Sequence, residues 1–177
     1  MKKHIGGNIQ HSDHLGSQVS SFLNSKDIIT MLIEPGDSLW RFVSKKNSNK
    51  FSDYWIDSET MASIMHTFTS WNNYTQHAKK GAIQDNLAIL GNWGSNLSRR
   101  VRITFKAPVI ACKGQTGPQK FFNENEKSSI QMYFGGPAIK AIEHRIGGFQ
   151  QYVIPRFKGI NNAKAAEYAV VTYDQPI

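Results

Sequence analysis

Residues 99–119 read RRVRITFKAPVIACKGQTGPQ, and the start of this stretch alternates as a β-strand does. Val101, Ile103 and Phe105 are apolar, and the residues between them are Arg or Thr. Because successive side chains of a strand point to opposite faces, the pattern predicts a half-buried strand with a basic outer face. A second apolar run, which ends at Cys112, leads into a loop rich in glycine and proline.

Helical patterns lie mostly in the first half of the chain. Residues 57–71 carry apolar side chains at helical spacing, and Asp57 or Ser58 can cap the start of this helix. A second helix is predicted over residues 82–90. Further strands are predicted at residues 39–44, 51–56, 149–155 and 166–173. This distribution favours an α+β fold over alternating βαβ units.

The bulk composition indicates a single basic domain. The chain has 177 residues and a net charge of +8, which suits one domain and favours anionic partners such as RNA or DNA. We expect a flexible arm over residues 1–17 and one domain over residues 18–177. One cysteine excludes an internal disulfide and a cysteine zinc cluster. No secretion signal and no membrane span is found, so a cytoplasmic protein without membrane contact is expected.

The common catalytic motifs are missing from the sequence. There is no phosphate-binding loop of the G-x-x-x-x-G-K-[ST] type, and no G-x-G-x-x-G follows a predicted strand. Neither a zinc-protease H-E-x-x-H nor a G-x-S-x-G nucleophile turn is present. No metal site is predicted.

Three residues in neighbouring predicted strands are candidates for a ligand cleft. Arg41 lies within the apolar stretch LWRFV, where a charge is costly unless it is paired, faces a cleft or points to solvent. Tyr54 and Trp55 are adjacent in the next strand, so at most one of them shares a face with Arg41. Core packing is the alternative explanation for either aromatic side chain.

The stretch IGGFQQYVIP, residues 146–155, contains a further candidate. Gly147 and Gly148 allow a sharp turn or a close approach to a ligand. Gln150 and Gln151 then begin a strand, so one of them points into a cleft and the other away. A plain hairpin turn with two surface glutamines is the alternative.

Five segments carry a resemblance, which in order are LWRFVS, SDYWID, LGNWG, VRITFKAPVIACKGQTGPQ and IGGFQQYVIP. Together they resemble bacterial polymorphic-toxin domains, which in turn resemble the ADP-ribosyltransferase superfamily. The resemblance spans roughly residues 37–157. It implies two packed small β-sheets, with helices mainly from the N-terminal half. It also implies that NAD is a co-substrate and that ADP-ribose is transferred to an acceptor.

The resemblance implies roles for the first two strands. Arg41, with Phe42 beside it, matches the strand that anchors the dinucleotide, and a guanidinium fork suits phosphate oxygens. Tyr54 and Trp55 match the position that supports the nicotinamide ring.

The last motif departs from the superfamily, which usually has a glutamate there. Gln150 is the match, or Gln151 if the register is one residue off, and the resemblance implies that Gly148 lies against the cofactor. An amide can bond a ribose hydroxyl but carries no charge to stabilise a cationic sugar. Glu143 is a further candidate for the missing acid, and a solvated surface carboxylate is the alternative.

The acceptor remains open between water, a protein and nucleic acid. A basic rim around the cleft is a candidate surface for RNA or DNA. Its residues are Lys45, Lys46, Lys50, Arg100, Arg102 and Arg156. An antitoxin or immunity protein is a further expected partner. The alternatives to a toxin-like ADP-ribosyltransferase are an NAD glycohydrolase toxin and a non-catalytic nucleic-acid-binding protein.

Overall fold

The computed structural model describes residues 22–23, 27–44, 50–70, 75–87, 97–121, 143–145, 147–155, 157 and 162–177. The strands are β1 Ile29–Ile33, β2 Ser38–Val43, β3 Tyr54–Trp55, β4 Arg99–Phe105, β5 Val109–Gln115, β6 Gln119–Phe121, β7 Glu143–Arg145, β8 Gln150–Val153 and β9 Ala169–Pro176. The helices are α1 Ser58–Ser70, α2 Gln76–Asn86 and α3 Asn162–Tyr168. Strand pairs are antiparallel, and the described part of the chain is α+β, as predicted.

Strand β4 is the middle strand of a three-stranded sheet with the order β2-β4-β9. Val101, Ile103 and Phe105 are buried, and the residues between them are half-buried. The structure therefore confirms the alternating strand that the sequence predicts here.

A four-stranded sheet has the order β1-β5-β8-β3, and β6 pairs with β7 in a separate two-stranded ladder. The two larger sheets meet where β2 passes the end of β3. There, Trp40 and Ile56 exchange two backbone hydrogen bonds of 2.8 Å. This bridge places β2, which contains Arg41, beside β3, which contains Tyr54 and Trp55.

The three- and four-stranded sheets pack against each other around a shared core. Leu39 and Ile103 enter it from the three-stranded sheet, and Trp55 and Val109 enter it from the four-stranded sheet. Phe157 is fully buried among them, and burying one such ring contributes roughly 1.5–3 kcal/mol. The packing confirms the prediction of two small packed sheets.

Helices α1 and α2 contribute to a second apolar cluster, on the opposite side of β2. Its buried members are Phe42, Ile56, Met61, Ile64, Ile83 and Leu97. The Asp57 carboxylate caps the start of α1, because its Oδ1 accepts a 2.8 Å hydrogen bond from the backbone N–H of Thr60. Both helices lie in the N-terminal half, as expected.

Several boundaries differ from the sequence prediction. The strand expected over residues 51–56 is reduced to Tyr54–Trp55, and β5 continues through Lys113 to Gln115, where the sequence predicts a loop. Helix α2 begins at Gln76, earlier than the predicted residue 82, and the Thr75 hydroxyl caps it. The strand predicted over residues 166–173 was wrong at its start, because α3 continues to Tyr168 before β9 begins. Within the described ranges, none of the helices combines the length and apolar character needed to cross a bilayer.

Candidate functional site

Two glycine-containing loops interlock at the start of β8. Gly147 and Gly148 have positive φ angles of 75° and 114°. The backbone N–H of Gly148 donates to both oxygens of Thr116, at 2.7 Å to Oγ1 and 2.9 Å to the carbonyl. The N–H of Thr116 in turn donates to the Phe149 carbonyl at 2.8 Å. These bonds fix the backbone from which β8 begins.

Gly147 has no room for a side chain. A Cβ atom there would lie 2.6 Å from the carbonyl oxygen of Thr116 and 2.9 Å from that of Gly117. Both neighbours are backbone atoms, which cannot move aside without breaking the loop. Gly147 therefore allows a close approach between the two loops, whereas a Cβ at Gly148 would meet nothing within 4 Å.

The adjacent glutamines of β8 point to opposite faces of the four-stranded sheet. Gln150 is paired with Gln115 and is exposed, whereas Gln151 is paired with Gly114 and is 6% exposed. The ring of Phe22 covers Gly114 so closely that a Cβ there would lie 2.6 Å from it. Gln150 is therefore the glutamine on the open face.

An open cleft of about 450 Å³ lies at this end of the sheet. It is lined by Leu23, Asp27, Ile29, Lys113, Gly114, Gln115 and Gln150. The Gln115 side chain donates a 2.8 Å hydrogen bond to the Gly148 carbonyl, which ties the cleft to the glycine loop. The cleft thus offers two side-chain amides, an ammonium and a carboxylate.

A polar cluster adjoins the cleft through Lys113. The Tyr152 hydroxyl donates to Oδ2 of Asp57 at 3.2 Å, and Nζ of Lys113 lies 3.5 Å from the same oxygen. The ammonium also lies 5.0 Å from the centre of the Tyr152 ring. Lys113 shares its sheet face with Gln115, and Tyr152 shares it with Gln150, because each pair is two residues apart. The cluster and the glutamines therefore belong to one face.

The protonation states of this cluster follow from its contacts. Burial alone would raise the pKa of Asp57, but hydrogen bonds from Thr60 and Tyr152 and the charge of Lys113 hold it below its ordinary value. Interaction with Tyr152, and then with Asp57, raises the pKa of Lys113 against the effect of burial. Burial raises the pKa of Tyr152. At neutral pH the cluster is a carboxylate, an ammonium and a neutral phenol.

Sequence reasoning assigned no site role to these three residues. The sequence predicts Asp57 only as a helix cap. In the structure its Oδ1 caps α1 and its Oδ2 accepts the hydrogen bond from Tyr152. The period-2 relation of Tyr152 to Gln150 is the sequence signal for Tyr152, whereas Lys113 joins this face only through the pairing of β5 with β8.

Arg41 lies against the shared core rather than along the cleft. Its guanidinium carbon is 5.7 Å from the centre of the Trp55 ring. Burial lowers the pKa of Arg41 to about 10, with the nearby charge of Asp53 acting in the opposite direction. The residue therefore stays cationic at neutral pH. Within the described residues, neither a polar contact nor a ring contact joins Arg41 to Gln150.

The aromatic candidates are divided between different surroundings. Trp55 is 1% exposed, and its Nε1 donates a 2.6 Å hydrogen bond to the Ser52 carbonyl. It is paired with Tyr152, so the row from Arg41 through Trp55 reaches the polar cluster. Tyr54 is exposed, and Phe42 is buried in the helix cluster.

The predicted basic rim is only partly covered by the structure. Lys50 forms a 2.8 Å ion pair with Asp174, which also binds Arg99 at 2.8 Å. Arg100 and Arg102 lie on the outer face of the three-stranded sheet. Lys45, Lys46 and Arg156 lie outside the described residues, as does the side chain of Glu143. No group of three His, Cys, Asp or Glu side chains in the described ranges is arranged to hold a metal ion.

Comparison with known proteins gives no family assignment. No protein-family model matches the chain, and no curated protein matches it. Among solved structures, the "Structure of Tne2 in complex with Tni2" covers 85% of this chain and 92% of the other, with 14% identity and a TM-score of 0.48. "Rhs1-CT in complex with cognate immunity protein RhsI1" covers 88% of this chain and 80% of the other, with 14% identity and a TM-score of 0.44. Likeness at this level transfers no activity to the chain.

Proposed function

We propose that this protein is a toxin-like enzyme that cleaves NAD at the nicotinamide ribose and transfers ADP-ribose to a macromolecular acceptor. The observation that carries the proposal is the position of Gln150. It is exposed on the cleft, and the interlocked glycine loops fix the backbone before it. The ordered sequence motifs that resemble ADP-ribosyltransferase toxins support the same assignment, and a neutralising partner protein belongs to it.

The chemistry needs little covalent help from the protein. The glycosidic bond breaks with its electron pair leaving on the nicotinamide nitrogen, which neutralises the pyridinium. The ribose carbon becomes electron-poor, and an acceptor oxygen or nitrogen attacks it and loses a proton. A fixed amide can bond a ribose hydroxyl, and a fixed negative charge stabilises the cationic sugar.

Asp57 can supply the charge that Gln150 lacks. Its carboxylate stays ionised at neutral pH, and its Oδ2 belongs to the cluster on the cleft face. Lys113 lines the cleft beside Gln150 and can bind an oxygen of the dinucleotide's phosphates, since an ammonium has three donors. Arg41 lies at the far end of the row that passes through Trp55, and it can anchor the dinucleotide only from that position.

Hydrolysis is the second candidate function. The cleft is open and Gln150 is exposed, so water can reach the reacting carbon without a bound acceptor. An NAD glycohydrolase would use the same side chains in the same roles. The two reactions differ only in what attacks the sugar.

The experiment measures nicotinamide release and label transfer by the purified protein. NAD labelled in the adenosine half is incubated alone, with RNA, with DNA and with cell lysate. We expect Gln150→Ala to slow nicotinamide release roughly 100-fold, by analogy with losing one transition-state hydrogen bond. Gln175→Ala removes an exposed glutamine from β9 of the other sheet, and it should stay within twofold of wild type.

Each outcome has a distinct meaning. Label on a macromolecule supports the transferase, and nicotinamide release without transfer supports the glycohydrolase. Intact NAD in every mixture, with folded protein, contradicts both. Equal rates of nicotinamide release by Gln150→Ala and wild type would show that the cleft takes no part in the reaction.

A further inference from the structure

The outer face of the three-stranded sheet carries two arginines on one strand. Arg100 and Arg102 are two residues apart on β4 and point away from the buried Val101 and Ile103. Trp40 of β2 is paired with Arg102. This face lies opposite the one that packs into the shared core, and at β2 it borders the second apolar cluster, against which Trp40 is partly buried.

Each arginine lies over an aromatic ring. The guanidinium carbon of Arg102 is 5.3 Å from the centre of the Trp40 ring, and that of Arg100 is 5.3 Å from the Tyr173 ring. The two rings are themselves 5.3 Å apart, with 64° between their planes. We call these four residues the arginine–aromatic strip.

The strip carries positive charge without a carboxylate partner in the described residues. Arg99, on the opposite face of the same strand, binds Asp174, whereas no ion pair of the described residues involves Arg100 or Arg102. The Nε of Arg100 is buried and has no hydrogen-bond partner among the described residues. A buried donor of this kind is costly, and a shift of the Arg100 side chain towards a bound anion would satisfy it.

Hydroxyl groups continue the strip along the sheet. Arg102 Nε donates to Thr172 Oγ1 at 3.1 Å, and Thr172 and Thr104 hydroxyls lie 3.0 Å apart. The Ser38 hydroxyl lies 2.8 Å from that of Thr104. The surface therefore combines guanidinium forks, rings and neutral hydrogen-bonding groups.

We propose that the arginine–aromatic strip binds single-stranded nucleic acid. Guanidinium groups bind phosphate oxygens, and aromatic or guanidinium planes stack on unpaired bases. The net charge of +8 attracts a polyanion to the molecule as a whole. Binding of an acidic protein would require only the two arginines. The aromatic rings next to them add a surface for bases, which favours nucleic acid as the ligand. The proposal does not depend on NAD cleavage.

The test measures fluorescence anisotropy with a labelled 20-nucleotide single strand, as RNA and as DNA, over a series of salt concentrations. Arg100→Gln with Arg102→Gln should weaken binding at least 10-fold. It should also reduce the slope of log affinity against log salt by about 1.4, since each phosphate contact on a single strand contributes roughly 0.7. The charge-matched control is Lys79→Gln with Lys80→Gln on α2, and it should bind within twofold of wild type.

Further measurements separate this inference from the enzymatic proposal. Nicotinamide release from NAD alone should be unchanged in the arginine double variant. In wild type, ultraviolet crosslinks to the single strand should map to peptides of β2, β4 and β9, which requires no variant to fold. Crosslinks confined to other peptides, or equal losses in the two double variants, would overturn the proposal. So would competition by polyglutamate as strong as that by the unlabelled single strand.

Discussion

Gly147→Ala tests whether the interlocked loops require glycine. The φ angle of 75° costs an L-residue about 1–2 kcal/mol, and the smaller entropy of the unfolded alanine chain offsets ~0.4–1 kcal/mol of that. The added Cβ would also lie 2.6 Å from the Thr116 carbonyl oxygen. Relieving that contact moves the loop that accepts the Gly148 N–H, and each lost hydrogen bond costs about 1 kcal/mol.

The expected loss for Gly147→Ala is therefore on the order of 3 kcal/mol, or roughly 6–12 °C in Tm for a chain of this size. Gly36→Ala is the matched control, because Gly36 has a φ of 99° and nothing within 4 Å of the added Cβ. It carries the backbone strain without the clash, so about 1 kcal/mol is expected.

Urea unfolding followed by tryptophan fluorescence gives both free energies. The slope of free energy against urea should be the same in both variants and wild type, so that the midpoint alone reports the change. A Gly147→Ala protein that is no less stable than Gly36→Ala would refute the close-approach argument.

Two further predictions concern carboxylates. Asp57→Asn should slow nicotinamide release about 10–100-fold. The wild-type rate should fall only as pH drops below about 4, because the pKa of Asp57 is depressed. A pH–rate profile of the variant should lack that fall. Asp174→Asn tests a carboxylate whose pKa burial would raise but which Lys50 and Arg99 hold below its ordinary value. Such a group stabilises the fold above the unfolded pKa of about 4 and ceases to do so as pH falls through the lower folded value. Urea unfolding should therefore show a loss of about 1 kcal/mol at pH 7, and the difference from wild type should vanish near pH 2; an equal difference at both pH values would contradict the ion-pair account.

Local periodicity was enough to predict β4 and β8, but not the end of β5, because Lys113 to Gln115 continue the strand where the sequence predicts a loop. Val101, Ile103 and Phe105 are buried as their alternation indicates, and the inequivalence of Gln150 and Gln151 follows from the same rule. The helix start at Asp57 was also predictable, because a carboxylate at that position satisfies free N–H groups.

The polar cluster could not be predicted from the sequence, because it depends on strand pairing. Asp57, Lys113 and Tyr152 come from three separate parts of the chain, and only the register of β5 with β8 brings the last two side by side. No local pattern encodes that register. The start of the last predicted strand failed for a different reason. The Val and Thr residues of β9 favour a strand, whereas the alanines before Tyr168 favour a helix, and α3 therefore continues to Tyr168.

The lock between Thr116 and Gly148 also has a consequence for folding. It joins residues 32 positions apart, so the chain must close a long loop before the lock can form, and contacts of that separation form slowly. The cleft is therefore a product of the completed pairing of β5 with β8. A partly folded chain in which these strands are still apart contains Gln115 and Gln150 but does not hold them together, so any activity of the cleft should begin only once folding is complete.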